Sequence, residues 1–227
     1  MRRNNKGMDL GPVVGEIAGK DIRANQLLRK DGNWDEGYGT PSDGQDTNLK
    51  QGPVRKLTSD AKTLIIYWSR SGSTELLASK INDKLPNADI YQIELVEPYP
   101  ANYLKTLSRA NDERLSCNPP AIVEDLPSLE QYDCIYLGYQ TWAMTMSQPM
   151  QSFLQRYGAE FRNKLIFPFE TEGSYGAGDS VSVMKQLIAG AGGGNNRFTP
   201  VLVIDGNVVD EEDAAINYWI EKTKSFK

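Results

Sequence analysis

Residues 63–74, Thr-Leu-Ile-Ile-Tyr-Trp-Ser-Arg-Ser-Gly-Ser-Thr, constrain this chain more than any other stretch. The first six read as a buried strand, and the next six as a polar turn without Asp or Glu. Residues 75–81, Glu-Leu-Leu-Ala-Ser-Lys-Ile, then open a helix. A helix N-terminus offers unpaired N–H groups and a partial positive charge, which suits a phosphate. Gly72 permits a backbone conformation that a Cβ would obstruct. The Ser and Thr hydroxyls can each donate to a phosphate oxygen.

Strand, Ser/Thr-x-Ser/Thr-Gly-x-Thr turn, helix: the sequence here resembles the flavodoxin family, in which this turn holds the 5′-phosphate of FMN. The resemblance implies that Ser69, Arg70, Ser71, Gly72, Ser73 and Thr74 are cofactor-binding residues. The plainer reading is that Ser69 and Thr74 cap a helix. The turn is not a Walker loop, because the Lys-Ser/Thr pair that holds a nucleoside triphosphate is absent.

The totals narrow the chemistry. The chain has 227 residues, 24% of them charged and 39% hydrophobic, which suits a globule with an ordinary core. It contains no histidine, which excludes Ser-His-Asp triads and zincin motifs. The two cysteines, Cys117 and Cys134, form neither a CxxC pair nor a phosphatase loop. Cys134 reads as a small core residue and Cys117 as a loop thiol. Net charge is −5, which gives no sign of a nucleic-acid partner. The acidity lies in residues 61–227, at −6, and an acidic surface steers towards basic redox partners. No run approaches the ~18 apolar residues of a membrane span. The basic start has no apolar region behind it, so a cytoplasmic protein is expected, with an upstream signal left open.

Residues 1–60 differ from the rest. Residues 31–46 are rich in Gly and Asp and read as loop or disordered tail. Residues 17–28 fit one short amphipathic helix, with Trp34 and Tyr38 as docking candidates. The expected division is an irregular extension over 1–60 and one domain over 61–227. From Lys62 strands alternate with helices, which argues for an α/β parallel sheet. Residues 88–95 alternate apolar and polar, the pattern of a half-exposed edge strand. Further strands are expected at 133–139, 164–170 and 200–204. The resemblance implies a doubly wound five-stranded sheet of order 2-1-3-4-5, with the ligand beyond the carboxyl ends of the strands.

Two more loops lie at that end. The second, residues 139–147, carries Trp142 among small and hydroxyl neighbours. Trp142 suits stacking on a flavin ring, with backbone groups of Thr141, Ala143 and Met144 at its polar edge; packing on a neighbouring helix or subunit is the alternative. A family subgroup resembles Gly-Tyr-Pro-x-Trp-Trp-Gly here, whereas this chain has Gln140, Ala143 and Met144 at three of those positions. The third loop, residues 171–180, has three glycines. By resemblance its Thr171, Gly173, Ser174, Tyr175 and Gly176 would cover the flavin pyrimidine. Glu170 and Glu172 depart from the subgroup and read either as solvated loop charges or, pointing inward, as a carboxylate near N1 of a reduced flavin that would lower its potential.

The implied cofactor is therefore FMN, bound without a covalent link. Three functions stay open. One is an electron shuttle to a redox partner protein. Another is an NAD(P)H-dependent reductase of a quinone or other small acceptor. The last is a flavin-free interaction module. A homodimer is compatible with each.

Overall fold

Alternation of apolar strands with helices of one buried face produces a layered sheet. The structure, a computed structural model, describes residues 11–29, 52–173 and 175–226. The strands are β1 (Gly15–Ile17), β2 (Lys20–Ile22), β3 (Arg55–Lys56), β4 (Thr63–Tyr67), β5 (Asp89–Gln92), β6 (Cys134–Trp142), β7 (Thr145–Met146), β8 (Leu165–Glu172), β9 (Arg197–Phe198) and β10 (Leu202–Asp205). The helices are α1 (Ser73–Asp83), α2 (Tyr103–Leu115), α3 (Gln148–Tyr157), α4 (Ser180–Gly190) and α5 (Asp213–Thr223).

The main sheet runs β10-β8-β6-β4-β5-β3. Its five long strands β4, β5, β6, β8 and β10 are parallel, and in chain order they stand 2-1-3-4-5 across the sheet. Successive side chains of each strand point to opposite faces. Leu64, Ile66 and Trp68 therefore join one core layer with Met150, Phe153 and Met184 from α3 and α4. Ile65 and Tyr67 join the other, with Leu77 and Ile81 of α1 and Ile216 and Trp219 of α5. Tyr136 and Phe167 stack across neighbouring strands in that second layer, 4.3 Å between centroids.

Three expectations are corrected here. Residues 17–28 form no helix. Ala18 and Gly19 both take positive φ (48° and 80°), a two-residue turn that joins β1 to β2 as a hairpin. Ile17 and Ile22 are buried in the α1 layer, and a 3-10 turn, Asn25–Arg29, follows. Ala24 and Leu27 join the same layer. Residues 31–46, with Trp34 and Tyr38, lie outside the described residues. The strand over 88–95 is not an edge: β3 pairs antiparallel with β5, and all four residues of β5 are buried. Its polar members are satisfied inside, Asp89 by Thr58 and Tyr132 and Gln92 by the Val54 N–H. Finally, the strand expected over 133–139 continues to Trp142. Ala143 and Met144 (φ 50° and 61°) then turn it into β7. Cys117 and Cys134 are both free thiols.

Gly138 lets the β6 backbone approach β8. A Cβ there would lie 2.2 Å from the Phe169 ring, and the Gly138 carbonyl accepts the backbone N–H of Trp68 (3.1 Å). Gly138→Ala is expected to lower stability by about 3 kcal/mol in urea unfolding, the upper range for overpacking a filled core.

Candidate functional site

Three strand ends are tied together by side chains. The Gln140 amide on β6 donates to the Trp68 carbonyl (2.5 Å) and to Thr74 Oγ1 (2.6 Å). Thr74 Oγ1 is in turn hydrogen-bonded to Thr171 Oγ1 on β8 at 2.7 Å, with either hydroxyl able to donate. Ser73 Oγ donates to the Gly206 carbonyl after β10 (2.8 Å), which adds a fourth loop. Beside this knot lies a cavity of about 400 Å³. That volume falls in the range of small-molecule sites, and its place beyond the carboxyl ends of β4, β6 and β8 is where open α/β sheets bind ligands.

The structure divides the expected first-loop residues. Arg70 and Ser71 line the cavity. Ser69, Gly72, Ser73 and Thr74 stand behind it and are buried. Ser69 Oγ accepts from the Gly72 N–H, which braces the turn, and Gly72 takes φ 89° at the start of α1. Arg70 is nearly buried, its guanidinium held by Thr106 Oγ1 and the Ala101 carbonyl. It brings positive charge to the wall.

From the second loop, Thr141, Trp142, Ala143 and Met144 all line the cavity. Trp142 packs on neighbouring aromatic rings that belong to loops rather than to a helix. Its ring meets Trp68 (5.2 Å) and Tyr99 (5.4 Å) edge to face, and it also forms cavity wall. The third loop contributes Thr171, Gly173, Tyr175 and Gly176, while Ser174 lies outside the described residues. Gly178 is packed against the hairpin turn: a Cβ there would lie 1.9 Å from the Met144 carbonyl, which also accepts the Asp179 N–H.

The two glutamates are not solvated charges. Glu172 folds back on its own loop and accepts the N–H groups of Tyr175 and Gly176. Glu170 is fully buried. Its strand position places it beside Tyr139, Thr141 and the first turn of α4, and the hydroxyls of Tyr139, Thr141 and Ser180 are buried with it. Burial pushes its carboxyl up to about 7; the nearby Tyr139 and Thr141 hydroxyls oppose that shift, and the Glu172 charge adds to it. None of these polar atoms completes a hydrogen bond of ordinary geometry. Burial, with the Glu170 charge second, raises the Tyr139 phenol as well.

Sequence reasoning missed the helical wall. Tyr103, Leu107 and Arg114 of α2 face the cavity, as do Gln26 and Gly206. Leu107 had a readable signal, an apolar residue that a solvated helix face does not explain. Gln26 and Gly206 had none, because only the fold brings them near.

The flavodoxin family matches residues 62–222 of this chain. The chain belongs to the flavodoxin family. Solved structures similar to this flavodoxin-family chain include a candidate flavoprotein from Bacteroides eggerthii, 22% identical over 71% of this chain and 97% of that one, TM-score 0.59. A second is a flavoprotein in complex with FMN from Lactobacillus acidophilus, 26% identical over 66% and 97%, TM-score 0.54. A candidate flavoprotein from Bacteroides uniformis is 24% identical over 72% and 99%, TM-score 0.56. No curated protein matches the chain.

The raised Glu170 carboxyl makes a pH prediction. Folded, it holds its proton between its ordinary 4.5 and about 7, where the unfolded chain has released it. Its contribution to stability is therefore complete below pH 4.5 and is lost as pH rises to about 7. The loss amounts to about 3 kcal/mol. Chemical unfolding of wild type and Glu170→Gln across that window should show the extra decline in wild type alone.

Proposed function

We propose that residues 61–227 form a flavin-binding unit whose cavity takes FMN without a covalent link, and that the protein transfers electrons through it. The observation that carries this reading is the cavity itself, bounded by a hydroxyl-bearing turn on one side and an aromatic hairpin on the other. The FMN complex of the Lactobacillus acidophilus flavoprotein supports it. The residues present fit the group. Arg70 and Ser71 offer charge and a hydroxyl for a phosphate. Trp142, Leu107 and Met144 give apolar wall for a planar ring. The buried Gln140 carbonyl oxygen lacks a partner and is an acceptor beside the cavity.

Bound FMN would supply the redox chemistry, accepting and releasing one or two electrons. The chain's own residues bind, orient and exclude water. The knot at Gln140, Thr74 and Thr171 fixes the spacing of the loops. The aromatic cluster of Trp68, Tyr99 and Trp142, with Trp142 edge to face on the other two, holds the hairpin wall in one orientation. Met144 and Tyr175 are exposed at the lips (47% and 65%), where a redox partner protein or small acceptor would approach. No histidine is available as an acid or base, which agrees with a role in positioning rather than proton transfer by side chains.

The purified protein should be yellow and release FMN rather than FAD on denaturation. NADPH alone should bleach it slowly; fast bleaching in stopped flow would make it a reductase. Ser71→Asp is expected to weaken FMN binding at least about a hundredfold, since a carboxylate near a phosphate costs several kcal/mol. Unchanged affinity in that variant would place the phosphate elsewhere.

A further inference from the structure

Gln26 lies 36 residues before the family match begins, yet its side chain forms part of the cavity wall. Its place is set by packing. Ala24 and Leu27 are buried in the α1 layer, as are Ile17 and Ile22 of the preceding hairpin. Ser79 Oγ on α1 donates to the Glu16 carbonyl (2.6 Å), and Gly15 stands close to Leu76. The hairpin and the 3-10 turn are thus seated on α1, and they hold Gln26 over the turn that opens it.

There the carboxamide meets two loops. The Ser71 hydroxyl donates to Gln26 Oε1 at 3.4 Å, a long bond that a stronger acceptor would replace. On the other side the amide nitrogen lies against Gly206, where a Cβ would come within 2.9 Å of Nε2. Any side chain at 206 would displace the carboxamide. Gln26 therefore stands at the end of the cavity nearest the α1 N-terminus, beside Ser71 and Arg70. Its NH2 can donate two hydrogen bonds, and it brings no charge of its own.

We infer that Gln26 is a ligand for the anionic phosphoester of a bound mononucleotide, so that the N-terminal segment completes the cofactor site. This rests on the flavin reading above. The amide N–H groups donate to the phosphate together with the Ser71 hydroxyl, next to the Arg70 guanidinium. The consequence is selectivity for the phosphorylated flavin, because the same position offers nothing to a riboflavin terminus that a water would not.

The test titrates the full-length apoprotein with FMN and, separately, with riboflavin, read by flavin fluorescence. Gln26→Glu keeps the shape but replaces the donor with a carboxylate. FMN affinity should fall about a hundredfold or more, with riboflavin affinity within about twofold of wild type. Gln26→Ala removes the donor without adding charge and should cost about tenfold for FMN alone. It also covers the case in which the Glu variant does not fold. The phosphorus NMR signal of bound FMN should shift in Gln26→Ala. An unchanged FMN-to-riboflavin ratio in both variants would overturn the inference, and so would an equal loss for both ligands, which marks a merely structural role. A wild type that binds neither flavin would overturn the cofactor reading and this inference with it. A wild type that binds FMN beside indifferent variants would overturn only this inference.

Discussion

The arrangement of the site depends on one small polar knot. Gln140 donates to Trp68 and Thr74, and the Thr74 and Thr171 hydroxyls are hydrogen-bonded to each other. Trp68 and Thr74 follow β4, Gln140 lies near the end of β6 and Thr171 near the end of β8. Parallel strands converge at their carboxyl ends only in register; the loops beyond them have no ladder to hold them. Buried hydroxyls and amides must find partners, and here they find one another across three chain segments. The loops are thereby spaced by side chains. A proline at 140 could not make these bonds, so the departure from the subgroup pattern has a structural purpose.

Charge is handled with the same economy. Glu172 turns its carboxylate onto its own loop, where it orders the Gly-rich segment from within. Glu170 goes further inside, beneath the hairpin and the start of α4, and burial favours its neutral form. The groups that act on it are Tyr139, Thr141 and Glu172, none of them a cation; Lys185 of α4 reaches instead to Phe198. Among the described residues, the wall of the cavity keeps Arg70 and Arg114 against the single carboxylate of Glu172, an excess of positive charge in an acidic protein.

Much of this was legible in the residues. The apolar run 63–68 and the hydroxyl turn after it fixed the first strand, the start of α1 and the end of the sheet where the cavity lies. Alternation after Lys62 pointed to an α/β parallel sheet, and the flavodoxin resemblance implied its strand order. What escaped was decided by tertiary pairing. A β3 of two residues covers β5, and no pattern that short announces a strand. Ala18-Gly19 and Ala143-Met144 are tight hairpin turns, but neither carries the Asn-Gly or Asp-Gly signal that marks such turns; the first falls within the stretch that reads as one helix, the second within a stretch that reads as loop. Only Arg70 and Ser71 of the turn reach the cavity because Ser69, Ser73 and Thr74 spend their hydroxyls bracing it. Gln26 was invisible because its role comes from a segment folded back over α1.

The most direct measurement is a crystal structure of the protein after saturation with FMN. The account predicts the ring between the β6–β7 hairpin and the loop after β8, with the phosphate at Ser71 and Arg70. FMN lodged at any other face of the sheet, or no uptake at millimolar FMN, would contradict it.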